Sequence, residues 1–296
     1  VIGANGADPA GANAGEVYVV FGNANISQNF ITDSVAISHV YAPVIANLDG
    51  DMVTHTEGDL LTLLDAGGDL LVSDTDSADF DGGRLSVSFT GFQAATDGLA
   101  IDTSGAVALS AGQVAGSDVS VNGTVIGTIA AGETGASNEG LAIDLNGDAT
   151  PIAVQALLAA IGYTNGGGDT PDETTRTFDV ALTDGDGGGT TVSTSVDVVA
   201  VDDAPLLAVP AGQSFAVNSA GNVISGVSVD DVDTASVEVT VSAEGAVTLA
   251  QTSGLTFTAG ADGTSSMTFS GSLTDVNAAL ATLGYAPASD DRDGDS

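Results

Sequence analysis

The chain has 296 residues and sets 40 aspartates and glutamates against three basic side chains, Arg84, Arg176 and Arg292, for a formal charge of −37. That balance excludes favourable contact with nucleic acid or anionic membrane surfaces, and the lack of lysine excludes Schiff-base chemistry and a P-loop phosphate contact. A hydrophobic content of 43% still leaves apolar surface to bury, so the chain is expected to fold and not to behave as an acidic disordered tail.

The first 41 residues contain one strand-like run, Glu16-Val17-Tyr18-Val19-Val20-Phe21, with no domain of its own around it. The sequence starts at Val1 with no basic stretch and apolar core ahead of it, and we expect a segment of a longer chain. Tyr41-Ala42-Pro43-Val44 opens a first domain, residues 42–203. Within it Leu85, Val87 and Phe89 alternate with Ser86, Ser88 and Thr90, the pattern of a strand with one face on a core and one in water.

A short helix follows. Thr150 and Pro151 fit the N-cap and first helical position, and Val154, Leu157, Leu158 and Ile161 recur at helical spacing before Gly162-Tyr163. Residues 178–182, the glycine-rich turn at 184–189 and residues 192–201 then read as two strands of a hairpin. Asp202-Asp203-Ala204-Pro205 ends the domain, since a proline cannot donate to a ladder.

The second domain, residues 204–296, repeats the scheme. Val237, Val239 and Val241 alternate with Glu238, Thr240 and Ser242, and Val276, Ala279, Leu280 and Leu283 repeat the helical spacing before Gly284-Tyr285. Here 39 residues follow Tyr163 up to Asp202, whereas 11 follow Tyr285 before the sequence stops, so the second domain has no closing hairpin. The expected fold is all-β: two tandem Greek-key β-sandwiches, each with one short helix, behind an N-terminal extended strand segment. No run approaches the roughly 18 apolar residues of a membrane-spanning helix.

The order of motifs carries a resemblance. Ala149-Thr150-Pro151, Val154 to Leu158, Ile161-Gly162-Tyr163, Thr177-Phe178, Asp184-Gly185-Asp186-Gly187-Gly188 and Val201-Asp202-Asp203-Ala204-Pro205 resemble the cadherin-like repeats of large bacterial RTX-type adhesins. Residues 206–296 look like a related, incomplete repeat. Ile2-Gly3-Ala4 with Gly15 to Gly22 is similar to a single FG-GAP repeat of integrin-α-type propellers. The resemblance implies cadherin/Ig-like sandwiches, export by a bacterial-type route to the cell surface or extracellular matrix, and calcium bound between repeats. The chain departs from the pattern at Asp202, where such repeats commonly place asparagine, and Asp291-Arg292-Asp293 is misplaced for the Asp-Arg-Glu motif of animal cadherins.

The acids supply the chemistry. Calcium takes six to eight oxygen ligands from carboxylates and carbonyls on irregular chain. Two carboxylates about 4 Å apart repel by roughly 4 kcal/mol at an effective dielectric near 20, so a close cluster calls for a cation. Glu57, Asp74, Asp76, Asp184, Asp186, Asp202 and Asp203 are the expected ligands at the first junction. Asp230, Asp231 and Asp233 form the corresponding turn of the second domain, expected to be completed by a following module. Asp144-Leu145-Asn146-Gly147-Asp148 imitates the start of an EF-hand loop, but Ala149 and Gln155 replace its glycine and final glutamate, and it reads as a turn.

An enzyme is not expected. His39 and His55 are the only histidines, cysteine and tryptophan are absent, and no nucleophile elbow or zinc-binding helix motif occurs. The leading expectation is a calcium-binding structural or adhesive module whose partners are neighbouring repeats of the same protein, other copies of itself, or cell-surface and matrix glycans. Two alternatives stand beside it. In a self-assembling filament, residues 16–21 of one subunit would complete the open second sandwich of the next. The other is a carbohydrate-binding or polysaccharide-active module.

Overall fold

The computed structural model describes residues 2–4, 17–19, 41–216, 219 and 221–287. Two compact units divide the chain, residues 1–39 and 40–296. In the first, Ile2–Ala4 pairs antiparallel with Val17–Val19, so the run around Tyr18 has a partner within its own chain. The rest of the 16–21 run lies outside the described residues, as do His39 and the 291–293 acids.

The second unit is all-β apart from two eight-residue helices. It contains two hydrophobic cores, one built from residues between Ile45 and Val198 and one from residues between Val229 and Leu283. Around the first core an eight-stranded sheet runs in the order Met52–Thr56, Gly189–Val199, Arg176–Thr183, Arg84–Phe89, Leu141–Leu145, Thr124–Thr134, Asp118–Val121 and Val107–Leu109. A three-stranded sheet of Thr62–Leu63, Ile161–Asn165 and Asp97–Ile101, with the pair Val44–Ala46 and Leu71–Ser73, supplies the other strands. Alternation puts Leu85 and Val87 of one strand, and Phe178, Val180 and Leu182 of its neighbour, into the core with no exposed surface. One pairing is parallel: Met52–Thr56 lies alongside the last five residues of Gly189–Val199.

The second core is enclosed by smaller sheets. Ser236–Ser242, Ser266–Ser272 and Thr256–Gly260 form one. Asn222–Val223, Leu283–Ala286 and Ala246–Leu249 form another, and Leu206–Ala208 pairs with Ser228–Asp230. The first sandwich flanks Arg84–Phe89 with strands on both sides, whereas among the described residues Ser236–Ser242 is paired on one side alone.

The helices Pro151–Leu158 and Leu273–Leu280 are of equal length, and the second lies 122 positions after the first. Thr150 caps the first by accepting the Ala153 N–H, and Ser272 caps the second by accepting the Asp275 N–H while its hydroxyl donates to the Asp275 carboxylate. Val154, Leu157 and Leu158, and likewise Val276, Ala279 and Leu280, face the cores. Ile161 and Leu283, expected as the last helical core positions, instead begin the strands Ile161–Asn165 and Leu283–Ala286; each helix stops one turn earlier. The following glycine explains the shared Gly-Tyr exit. A Cβ on Gly162 would sit 2.7 Å from the Thr62 carbonyl oxygen and one on Gly284 2.5 Å from Thr248 Oγ1, so neither position admits a side chain without displacing its neighbour. Replacing Ser272 by alanine is expected to lower stability by about 1 kcal/mol, as a lost N-cap does. A urea midpoint equal to that of the parent chain would show that the cap contributes nothing.

Candidate functional site

Two acidic sites emerge, at opposite ends of the first sandwich. The eleven-residue strand Gly189–Val199 starts beside one and ends beside the other, a span of roughly 33 Å at the usual rise per residue.

The first site forms around Tyr41. Asp74 accepts the backbone N–H groups of Asp76 and Ser77 through Oδ1, folding the 74–77 loop on itself. Asp76 then accepts the Tyr41 N–H at 3.1 Å, and Ser77 donates its hydroxyl to Asp186 at 3.5 Å, joining the loop to the hairpin turn. Asp184 is 1% exposed, and its Oδ1 accepts three N–H groups, from Asp186, Gly187 and Gly188, at 2.9–3.0 Å. Its other oxygen, Oδ2, is buried without a hydrogen-bond partner, as is Asp74 Oδ2. Gly188 keeps this corner open: a Cβ there would lie 2.2 Å from Asp184 Oδ2 and 2.4 Å from the Tyr41 carbonyl oxygen.

The second site lies where the chain passes from the first core to the second. Carboxylate oxygens of Glu57, Asp169 and Asp203 lie within 4.8 Å of one another, the only such group of three among the described residues. Glu57 accepts the Val201 N–H at 2.9 Å, Asp233 accepts the Asp203 N–H at 2.7 Å, and Asp202 accepts the Thr234 hydroxyl at 3.5 Å. Asp231 folds the 231–234 loop by accepting the N–H groups of Asp233 and Thr234, repeating the role of Asp74. Lost hydration and then the charges of Asp169, Glu57, Asp233 and Asp202 push the Asp203 carboxyl above its ordinary value. The site concentrates negative charge without a cationic side chain among these partners.

The expected ligands are thus brought together in a different grouping. Glu57 and Asp203 lie together at the junction, with Asp202 next to them accepting from Thr234, but Asp74, Asp76, Asp184 and Asp186 gather at the far end around Tyr41. Asp231 and Asp233, expected to await a following module, face the linker from the preceding one, with Asp230 beside them accepting the Asp231 N–H. Asp169 and the Tyr41 carbonyl were not anticipated; the signal for Asp169 is its place at the end of the Gly166-Gly167-Gly168 run, directly after a strand. The EF-hand-like stretch is a turn: Asp144 lies in a strand with Oδ1 3.4 Å from Arg84 Nε, and Asn146 accepts the Asp148 N–H.

A buried ion pair lies inside the first sandwich. Arg176 and Asp97 are 0% and 1% exposed. Arg176 Nε donates to Asp97 Oδ2 at 2.9 Å and its NH2 group to Oδ1 at 3.2 Å, while NH1 donates to the backbone oxygens of Asp172 and Thr174 and the guanidinium lies over Phe92. The Tyr163 hydroxyl, Asn165 and the Ala94 N–H complete the shell of Asp97. Burial alone would raise the Asp97 carboxyl, but the hydrogen bonds from Arg176, Tyr163 and Ala94 outweigh it and hold the group below its ordinary value. Burial and the Asp97 hydrogen bond push the Tyr163 hydroxyl up, and burial pushes His55, packed edge-on against Tyr163, down.

A groove of about 350 Å3 beside Glu57 is lined by His55, Asp59, Asn165, Asp169 and Pro171 among others, with no Trp, Tyr or Phe. It offers acids and amides and no aromatic platform for a sugar ring. No protein-family model matches the chain, and no curated protein does.

Proposed function

We propose that the chain is an extracellular, calcium-binding structural and adhesive module of a bacterial-type surface or matrix protein, with calcium bound at both ends of the first sandwich. The observation that carries this reading is Asp184: a fully buried carboxylate with one oxygen saturated by three N–H groups and the other bare, next to the Tyr41 carbonyl and joined through Asp186 to the Asp74–Asp76 loop. A bare buried carboxylate oxygen costs free energy unless a partner neutralises it. Carboxylate oxygens and a main-chain carbonyl are the ligands that a hard cation takes, and calcium tolerates the irregular geometry better than magnesium. The junction acids Glu57, Asp169, Asp202, Asp203 and Asp233 would hold a second group of ions, so that metal stiffens the passage between the two cores.

The reading predicts calcium-dependent stability. A ligand that binds only the folded state at one hundred times its dissociation constant adds about 2.7 kcal/mol. For a domain of this size that is a rise in Tm of about 5–10 °C. Calorimetry in calcium, in magnesium and in excess chelator is the test, and superimposable curves in the three conditions would remove calcium from the account. The adhesive part rests on the resemblance to RTX-type adhesin repeats.

A further inference from the structure

Each helix reaches a strand with one side-chain amide. Gln155 is the fifth residue of Pro151–Leu158 and Asn277 the fifth of Leu273–Leu280. Gln155 Oε1 accepts the Val72 N–H at 3.1 Å. Asn277 binds its strand twice: Oδ1 accepts the Val229 N–H at 2.9 Å, and Nδ2 donates to the Val229 carbonyl at 2.8 Å. A glutamine in one sandwich and an asparagine in the other thus hold the same position of the corresponding strand. The amide is kept while the length of the side chain is not.

Val72 and Val229 are the central residues of strands three residues long, Leu71–Ser73 and Ser228–Asp230. They stand opposite Ile45 and Leu207 of the neighbouring strands. Main-chain groups alternate sides along an antiparallel strand, so with Val229 turned to the helix it is Ser228 and Asp230 that bond Leu206–Ala208. Both valines are 6% exposed, and a buried main-chain group needs a partner. The amide supplies it, in the place of a second neighbouring strand. Both strands run directly into an acidic loop. Asp74 and Asp231 each lie two residues beyond the clasped valine, and each folds its loop by accepting two N–H groups, from Asp76 and Ser77 and from Asp233 and Thr234. At about 3.3 Å per residue the clasp is about 7 Å from the aspartate along the chain. A shift of the strand is therefore passed to the carboxylate, while calcium–oxygen distances span about 2.3–2.6 Å.

We propose that Gln155 and Asn277 are positioning residues for calcium, each clasping the strand that carries the first aspartate of an acidic loop and so fixing where that loop's oxygens stand. The proposal rests on the calcium reading above and assigns the helices a part in it: each holds a loop in place that it does not itself contain.

The test compares the parent chain with Gln155→Met, Asn277→Leu and Ser272→Ala, the last a control that removes a helix cap and leaves the Asn277 contact in place. Calcium is titrated calorimetrically, exchange of the loop N–H groups in chelator is followed by NMR, and circular dichroism checks the fold. Gln155→Met should speed exchange at Asp76 and Ser77, and Asn277→Leu at Asp233 and Thr234. Each should raise the Kd of part of the bound calcium roughly two- to tenfold, the size of a lost hydrogen bond. Ser272→Ala should do neither. Should Asn277→Leu fail to fold, Gln155→Met, which gives up a single hydrogen bond, decides the matter. Loops and affinity unchanged in the folded variants, or changed as much by Ser272→Ala, overturn the positioning role and leave calcium binding standing. A parent chain that takes up no calcium overturns the calcium reading, and this role with it.

Discussion

Replacing Arg176 by methionine should cost about 3–5 kcal/mol, the loss expected when one partner of a buried ion pair is removed and the other remains. Asp97 would be left as an anion in the core with only Tyr163, Asn165 and the Ala94 N–H to hold it. The Asp172 and Thr174 carbonyls would lose their donor as well. At this domain size the change reads as a fall in Tm of about 10 °C or more. Adding Asp97→Asn to Arg176→Met should return part of the loss, because the buried charge disappears with its partner. A single Arg176→Met chain within 1 kcal/mol of the parent would be incompatible with the pair's burial.

Acid should act on the same cluster in two steps. His55 titrates lower in the folded chain than its ordinary 6.5, so below that pH the unfolded chain binds the extra proton and stability falls. Asp97 is also depressed, from 3.8; its contribution is fully present above about pH 4 and is lost as the pH drops through the lower, folded value. Arg176→Met should flatten the second step, which rests on the guanidinium, and shrink the first less, because burial is the main cause of the His55 shift and the Arg176 charge a smaller one.

The second large effect is an inversion at Asp184. Asparagine there retains an oxygen for the three N–H groups of the hairpin turn, and its amide nitrogen takes the place of the bare oxygen, near the Tyr41 carbonyl. In chelator Asp184→Asn should therefore melt at the parent's temperature or above it. In calcium it should lose most of the gain at this end of the sandwich, about 2–3 kcal/mol, since a neutral amide replaces an anionic ligand. Full calcium stabilisation in the asparagine variant would sink the role given to this carboxylate.

Local features of the chain are legible in its sequence. The alternation at Leu85–Val87 and Val237–Val241 and the Thr150-Pro151 cap are set by neighbouring residues, and sequence periodicity reports them directly. Periodicity alone extends each helix one turn too far, because Ile161 and Leu283 satisfy helical and strand periodicities at once. The grouping of the acids was not legible, because the end of a sandwich at which a turn lies depends on how many strands the chain has crossed. Nothing in the 74–77 loop itself assigns it to Tyr41 and not to Asp203. The Asp97–Arg176 pair joins residues 79 positions apart, yet one sign of it was present. Arg176 shares parity with Phe178, Val180 and Leu182, and an inward arginine in a chain with three cations requires a buried carboxylate.

The parallel pairing of Met52–Thr56 with Gly189–Val199 has a mechanical consequence. Met52–Thr56 belongs to the start of the first sandwich and Gly189–Val199 to its end, and Met52 through Thr56 lie opposite Ser195 through Val199 in the same direction. Tension applied between the entry to this sandwich and its exit pulls the two strands past each other lengthwise. The hydrogen bonds between them are then loaded in shear and share the force, where an antiparallel hairpin pulled from its open end would unzip one rung at a time.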